Sequence, residues 1–174
     1  MKFTLTYDGP LATNPRPTQK HEIRRALHPQ LSELRQQRPI AQNIGAVPSV
    51  TVDGYAFTAL VHPHWHFRAE LDILMLRSEP PGGLLVAGGD IDNRMKTLFD
   101  ALARPVHAQD IPKGWTPTAD ENPLHCLLED DSLILSVAVK TDRLLAADTP
   151  SHVKLIIGVQ VQTVMNFGGL ALMV

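Results

Sequence analysis

Apolar and polar residues alternate along several short stretches of the chain. In KFTLTY, residues 2–7, the side chains of Phe3, Leu5 and Tyr7 would share one face and those of the lysine and threonines the other. This period of two predicts a β-strand. Similar stretches predict four more strands, at about residues 55–62, 70–77, 133–140 and 153–161. The first two of these four are expected to form a well-buried pair.

Two other stretches show the apolar spacing of a helix. The first runs from about residue 21 to 37, and Pro29 is expected to kink or split it. The second, residues 92–104, has the clearest pattern, with Asp92 as a predicted N-cap and Pro105 after the helix end. Its apolar face consists of Met95, Leu98, Phe99 and Leu102. Its polar face consists of Asp92, Asn93, Lys96 and Asp100.

The predicted order is β-α-β-β-α-β-β, which is typical of an α+β domain with helices on one face of a mixed β-sheet. The length of 174 residues suits a single domain spanning residues 1–174. Residues 105–127 contain four prolines and are predicted to form a long inserted loop, of the kind that is usually functional or mobile. Within it, Trp115 is expected to anchor the loop rather than to contact bases.

Charge is unevenly distributed in a chain whose formal net charge is only −2. Residues 1–40 contain seven lysines and arginines against three acidic residues, whereas residues 90–131 contain nine acidic residues against four basic ones. A basic arm beside an acidic centre is compatible with a polyanion held over a metal site. The nearly neutral total argues against a general nucleic-acid coat protein.

The cysteine content and the lack of long apolar stretches argue against disulfide-linked, thiolate-metal and membrane-spanning proteins. Cys126 is the single cysteine, which excludes an intrachain disulfide and a thiolate metal cluster. No apolar stretch approaches the roughly 20 residues of a membrane span, and the start MKFTLTYDGP does not resemble a signal peptide. We therefore expect a cytoplasmic protein with no membrane partner.

Three carboxylates are candidates for one metal site. Asp90 and Asp92 are one residue apart, and Asp131 opens a later strand. Mg²⁺ prefers oxygen ligands and keeps several waters, so two or three carboxylates are the expected protein contribution. Lys96, one helical turn after Asp92, could stabilise a phosphoryl transition state. The alternative is that Asp92 caps the helix and pairs with Lys96, while Asp131 lies on a solvated turn.

Two motifs together resemble the RusA family of Holliday junction resolvases. They are DIDNRMKTLFDAL, residues 90–102, and LEDDSLILSVAVK, residues 128–140. The resemblance implies a homodimeric, Mg²⁺-dependent endodeoxyribonuclease that cuts four-way DNA junctions in recombination and repair, with Mn²⁺ able to substitute. It implies that Asp90, Asp92 and Asp131 bind the metal and that Lys96 is catalytic. Further positions that match the motif are Asn93, Asp100 and Asp130.

The chain also departs from the family pattern. GGLLVAGG precedes Asp90, where family members usually have arginines, and 31 positions separate Asp100 from Asp131, where the family has a shorter connection. The family is typically basic. Two alternatives therefore stay open: a non-catalytic DNA-binding dimer of the same fold, and a metal enzyme that uses the Asp-x-Asp pair on a nucleotide.

Basic residues around the TNPRP loop are the best candidates for contacts with DNA phosphates. They are Arg16, Lys20, Arg24 and Arg25. Basic side chains that approach phosphates release counterions and so favour binding. The alternative is that these residues form a solvated helix face.

Alternating histidines form a further candidate site. His62, His64 and His66 would share one face of an extended strand, and three imidazoles at that spacing can bind zinc. Because Pro63 interrupts the strand, a polar, partly exposed sheet edge or loop is predicted instead.

Overall fold

The computed structural model describes residues 1–37, 48–78, 91–145, 149, 151–167 and 170–173. Within these ranges the chain forms two α-helices, α1 (Pro17–Gln37) and α2 (Ile91–Leu102). Neither helix is both long enough and apolar enough to cross a membrane. The strands of the described residues are β1 (Lys2–Pro10), β2 (Ser49–Val52), β3 (Tyr55–Val61), β4 (Phe67–Arg77), β5 (Leu124–Leu128), β6 (Ile134–Arg143), β7 (His152–Phe167) and β8 (Leu170–Met173).

The strands form two mixed sheets. The larger sheet has the order β1-β7-β4-β6, and β8 pairs with β7; β4 and β6 are parallel, and the other pairs are antiparallel. The smaller sheet has the order β2-β3-β5, with β2 antiparallel and β5 parallel to β3. Two helices with mixed sheets confirm the predicted α+β class.

The main core lies between the larger sheet and both helices. The inward-facing side chains of β4, such as Ile73, pair with inward-facing residues of β7, such as Ile157, and both are fully buried. They share one cluster with Leu27 of α1 and Leu98 of α2. Because outward-facing residues such as Asp72 are exposed, both helices cover the same face of this sheet. The predicted arrangement of helices on one face is thereby confirmed for the larger sheet.

The predicted order of elements was incomplete. The structure adds β2, β5 and β8 to the strands that the alternation indicated. The strand SVTV of β2 alternates but is only four residues long, and LHCLL of β5 is a mostly buried run without alternation, so the period-two signal is short in one and absent in the other. The expected pairing of the strands near residues 55–62 and 70–77 was also wrong. Both strands exist and are well buried, but β3 pairs in the smaller sheet and β4 in the larger one.

Pro29 does not split the first helix. α1 is a single helix that continues through this proline. A proline inside a helix removes one hydrogen-bond donor, which costs least where the freed carbonyl can face water. Pro29 is exposed, whereas the neighbouring residues His28 and Leu31 are buried. The proline therefore lies on the solvent side of α1, away from the packed face.

Much of the predicted loop at residues 105–127 packs on a second, smaller core. Ile111 and Trp115 contact the buried Phe57 of β3 and Cys126 of β5. The Tyr55 hydroxyl donates to the carbonyl oxygen of Trp115 at 2.7 Å. Trp115 is thus a loop anchor, as predicted. Burial raises the pKa of the Cys126 thiol to about 12, so this thiol stays protonated at neutral pH.

Candidate functional site

The polar face of α2 forms a ridge of three charged residues at successive turns. Asp92 and Lys96 are exposed on this ridge, and Asp100 is half-buried. The opposite face is anchored by Leu98, which is fully buried, and by Arg94, whose Nη1 donates to the carbonyl oxygen of Leu11 at 3.1 Å. These contacts fix the rotation of α2 and therefore the direction in which the ridge faces.

Asp92 was predicted to be the N-cap of α2, but it lies in the first turn of the helix. The helix begins one residue earlier, at Ile91, and the Oδ1 atom of Asp92 accepts a hydrogen bond from the amide of Asn93 at 2.8 Å. A carboxylate in the first turn still interacts favourably with the helix dipole. Since its side chain is exposed, Asp92 keeps oxygen lone pairs for a ligand.

Arg24 of α1 binds the C-terminal end of α2. Its Nε atom donates to the carbonyl oxygen of Ala103 at 2.8 Å, and its Nη2 atom donates to that of Asp100 at 2.7 Å. Helix C-termini leave carbonyls without intrahelical partners, and a cation there also offsets the helix dipole. Burial lowers the pKa of Arg24. One turn earlier, Lys20 Nζ lies 2.5 Å from Asp100 Oδ2.

The acidic run after β5 meets this end of α2. The backbone of Arg104 donates to Leu128, and Arg104 Nη2 lies 2.5 Å from Glu129 Oε1. The Asp130 carboxylate accepts from the amide of Ser132 at 2.9 Å, and its hydrogen bonds to Ser132 lower the pKa of Asp130. The exposed carboxylate of Asp131 has no hydrogen bond or ion pair in the described part of the chain. It is therefore available to a ligand.

These elements enclose a cleft of about 320 Å³ between the start of α1, the end of α2 and the segment after β5, here called the charged cleft. Its charged lining consists of three basic residues, Lys20, Arg24 and Arg104, and five acidic ones, Asp100, Asp110, Glu129, Asp130 and Asp131. The acidic excess favours a cation, and the arginines favour an anion. Both requirements are met by a divalent cation that binds together with a phosphate.

A larger groove, of about 700 Å³, lies on the larger sheet and includes part of its open face. Across four strands, Thr4, Gly158, Asp72 and Ala138 form one row of this face. The groove carries two carboxylates, Glu70 and Asp72, and one lysine, Lys2. None of the predicted site residues that the structure describes lines it. The convergence of charged groups from three distant segments makes the charged cleft the better candidate for chemistry, despite its smaller volume.

The structure brings together only part of the predicted site. Asp131, Lys20 and Arg24 line the charged cleft, together with Asp100. Asp92 and Lys96 do not line it; along the ridge they lie about 12 and about 6 Å from Asp100 at 1.5 Å per helical residue. Asp90 lies outside the described residues. Within the described ranges, no group of three or more histidine, cysteine, aspartate or glutamate side chains is arranged to hold a metal ion.

The four residues that were predicted to contact DNA do not lie together: two of them line the charged cleft and two do not. Lys20 and Arg24 line the charged cleft, but Arg24 is buried and bonded to main-chain carbonyls. Arg16 is exposed just before α1. Arg25 does not line the cleft, and its Nε atom lies 2.5 Å from Glu121 Oε1. Lys20 is half-buried and pairs with Asp100, so of the four only Arg16 is exposed and without an ion pair among the described residues.

Sequence reasoning missed Arg104 and Glu129. Their ion pair joins the end of α2 to the end of β5, and the two positions are 25 residues apart. Glu129 belongs to the acidic run of residues 129–131, but the motif resemblance does not single it out. No spacing rule identifies such a pair, because the partner of Arg104 depends on how β5 packs beside α2.

The histidine segment forms a turn. A short 3₁₀ helix spans Pro63–Trp65, and His62 caps it by accepting from the amide of His64 at 3.0 Å. His66 adopts a left-handed backbone conformation, with φ of 56°. The three imidazoles therefore do not share the face of a strand, which agrees with the predicted loop. His62 Nε2 lies 3.7 Å from Glu129 Oε2 and so connects this turn to the charged cleft.

Comparisons of the chain with protein-family models, with curated proteins and with solved structures find no match. The described residues offer an exposed carboxylate, Asp131, that has no partner among them, a ridge of charged side chains on α2, and two arginines beside the cleft, of which Arg24 is buried and Arg104 half-buried.

Proposed function

We propose that this protein is a RusA-like, Mg²⁺-dependent endodeoxyribonuclease that cuts four-way junctions or other branched DNA. One observation carries the proposal. The two motifs that resemble this family are far apart in the sequence, yet Asp131 of the second lies in one cleft with Asp100, the last charged residue of the first. Such convergence is what a shared catalytic site requires.

The carboxylates predicted as ligands are of the donor type that Mg²⁺ prefers. Asp92 and Asp131 offer exposed carboxylates, and Mg²⁺ uses one or two carboxylates together with waters and substrate phosphates. We assign metal binding to these two residues together with Asp90. When bound, the ion would lower the pKa of its water and offset charge on the scissile phosphate. Lys96, exposed and without an ion pair in the described part of the chain, would stabilise negative charge that develops on that phosphate.

Branched DNA is the substrate that the resemblance implies. Lys20 of α1 lines the charged cleft, and Lys96 lies on the ridge one turn before Asp100, so each helix offers one lysine to a DNA strand. Symmetric cutting of a four-way junction requires two such sites. We therefore propose that the active form is a homodimer.

The first test uses a synthetic four-way junction with one fluorescent label on each strand. We expect paired nicks on opposite strands in Mg²⁺ or Mn²⁺, and none when EDTA removes the metal. A linear duplex of the same sequence is the matched control and should be cut far more slowly. Gel mobility measures binding in the same samples. Salt-dependent binding without any cutting in either metal would contradict the nuclease and select a non-catalytic DNA-binding dimer.

The volume of the charged cleft favours one second candidate. About 320 Å³ is near the lower end of the range of about 300–1,000 Å³ that small-molecule sites occupy. A metal enzyme acting on a nucleotide would fit this volume. Metal-dependent turnover of a nucleotide, with no affinity for any DNA structure, would select this candidate over the nuclease.

A further inference from the structure

Each of the two arginines of the charged cleft has one guanidinium nitrogen that lacks a partner among the residues that the structure describes. Arg24 uses Nε and Nη2 on the carbonyl oxygens at the end of α2, while its Nη1 atom has no partner among the described residues. Arg104 uses Nη1 on the carbonyl oxygen of Pro105 and Nη2 on Glu129, while its Nε atom has none. Both free donors are buried.

Buried donors without partners are rare in folded proteins, because burial removes the water that would otherwise satisfy them. Here two of them belong to residues that line one cleft. Both are guanidinium groups, whose planar fork matches the oxygens of a phosphate. Each of these two donors therefore lacks an acceptor oxygen that a phosphate bound in the cleft could supply.

Both guanidinium groups are held in place before any ligand binds. Arg24 is fixed against α2 by two hydrogen bonds, and one of them goes to the carbonyl of Ala103, the residue next to Arg104. Arg104 is fixed by Glu129 and by its bond to Pro105. Groups that are already oriented lose little conformational entropy on binding.

Two of the five acidic residues of the cleft are paired with basic side chains. Asp100 pairs with Lys20, and Glu129 pairs with Arg104. The Asp110 carboxylate accepts from the amides of Val106 and His107. The carboxylate of Asp131 is left without a partner among the described residues. A cation bound there would reduce the repulsion that Asp110, Asp130 and Asp131 exert on an anion.

We propose that Arg24 and Arg104, assisted by Lys20, form a phosphate subsite in the charged cleft. The inference rests on the proposed function in one respect: the phosphate belongs to the DNA backbone next to the bond that is cut. The subsite holds the strand in register, and the carboxylates perform the metal chemistry. Because of the nearby Asp131, phosphate binding should be tighter with Mg²⁺ than without it.

The probe for this subsite is inorganic phosphate, titrated into the ¹⁵N-labelled full chain with and without Mg²⁺. Nuclear magnetic resonance follows the arginine Nε–H signals. We expect a saturable shift of the Arg104 signal, which chloride at equal ionic strength does not produce. Arg104→Lys keeps the charge but removes the free Nε–H donor, and it should weaken phosphate binding roughly tenfold or more, as expected for a charge-assisted hydrogen bond.

Arg25→Lys is the matched control. Arg25 is the neighbour of Arg24 on α1, pairs with Glu121 and does not line the cleft, so this variant should bind phosphate like the natural chain. Equal affinity in the Arg104→Lys and natural chains would overturn the subsite. So would the absence of a saturable Arg104 shift in the natural chain, a reading that does not depend on how any variant folds.

Two further outcomes separate this inference from the nuclease proposal. Saturable phosphate binding in a protein that cuts no DNA would support the subsite and remove the nuclease. Metal-dependent cutting with no phosphate response at Arg104 would support the nuclease and remove the subsite. Acetate that shifts the same signals with equal affinity would assign the pair to carboxylates, against the phosphate assignment.

Discussion

Asp131→Asn is expected to abolish Mg²⁺-dependent cleavage of a four-way junction while the fold stays intact. Asparagine has the same shape but lacks the negative charge that binds the ion. A bound metal contributes several kcal/mol of transition-state stabilisation, so the single-turnover rate should fall by roughly a hundredfold or more. The carboxylate of Asp131 is exposed and has no partner in the described part of the chain, so the substitution removes no contact of the fold.

Two comparisons make this result specific. Asp92→Asn should lose activity to a similar degree, because it removes the other assigned ligand. Asp142→Asn changes an exposed carboxylate of β6 that does not line the charged cleft, and it should cleave at the natural rate. Thermal unfolding confirms that all three variants are folded. A cleavage rate within a few-fold of the natural rate in Asp131→Asn would remove the proposed mechanism.

The second large expected effect is a loss of folding stability at acidic pH. His21 of α1 is buried against the Trp115 ring at 4.3 Å, and neither of its ring nitrogens has a hydrogen bond among the described residues. Burial, reinforced by Arg24 and Arg25, lowers the pKa of His21 from 6.5 to about 4, although Glu121 acts in the opposite direction. The unfolded chain therefore binds a proton below pH 6.5 that the folded chain does not bind until about pH 4.

The free energy of unfolding should therefore decrease between pH 6.5 and pH 4. The contribution of His21 is at most about 1.4 kcal/mol per pH unit, or about 2 kcal/mol by pH 5. His21→Phe keeps an aromatic ring against Trp115 and should flatten this slope in urea unfolding. His64→Phe, at an exposed position, should keep the slope of the natural chain. A slope in His21→Phe equal to that of the natural chain would contradict the assignment.

His125, whose pKa burial also lowers to about 4, should supply part of the slope that remains.

The elements that the sequence predicts best are those with one continuous buried face. The apolar spacing of Met95, Leu98 and Leu102 located α2 to within two residues, because burial of that face determines the helix. The same holds for the alternation of Ile73 and Met75 in β4. The sequence did not predict β5, because its residues are mostly buried, show no alternation and follow prolines. The strand also forms by pairing with β3, which lies more than 60 residues earlier.

The residue types of the candidate site could be predicted from the sequence, whereas their positions relative to one another could be predicted only in part. The resemblance selected Asp131 and the polar face of α2, and the structure places that carboxylate beside Asp100, at the C-terminal end of the helix. The position of β5 along α2 decides which turn of the ridge Asp131 meets. That position is set by tertiary contacts, such as the bond from the Arg104 amide to the Leu128 carbonyl, which no local pattern encodes.

The central claim is that Asp92 and Asp131 share one metal ion. A crystal of the protein soaked in Mn²⁺ tests it directly, because anomalous scattering locates the ion. We predict one ion with carboxylate oxygens of both residues, and of Asp90, at about 2.1 Å. Carboxylates of Asp92 and Asp131 that lie more than roughly 8 Å apart with no shared ion would contradict the claim, since ligands to one such ion must lie within about twice the metal–oxygen distance of each other.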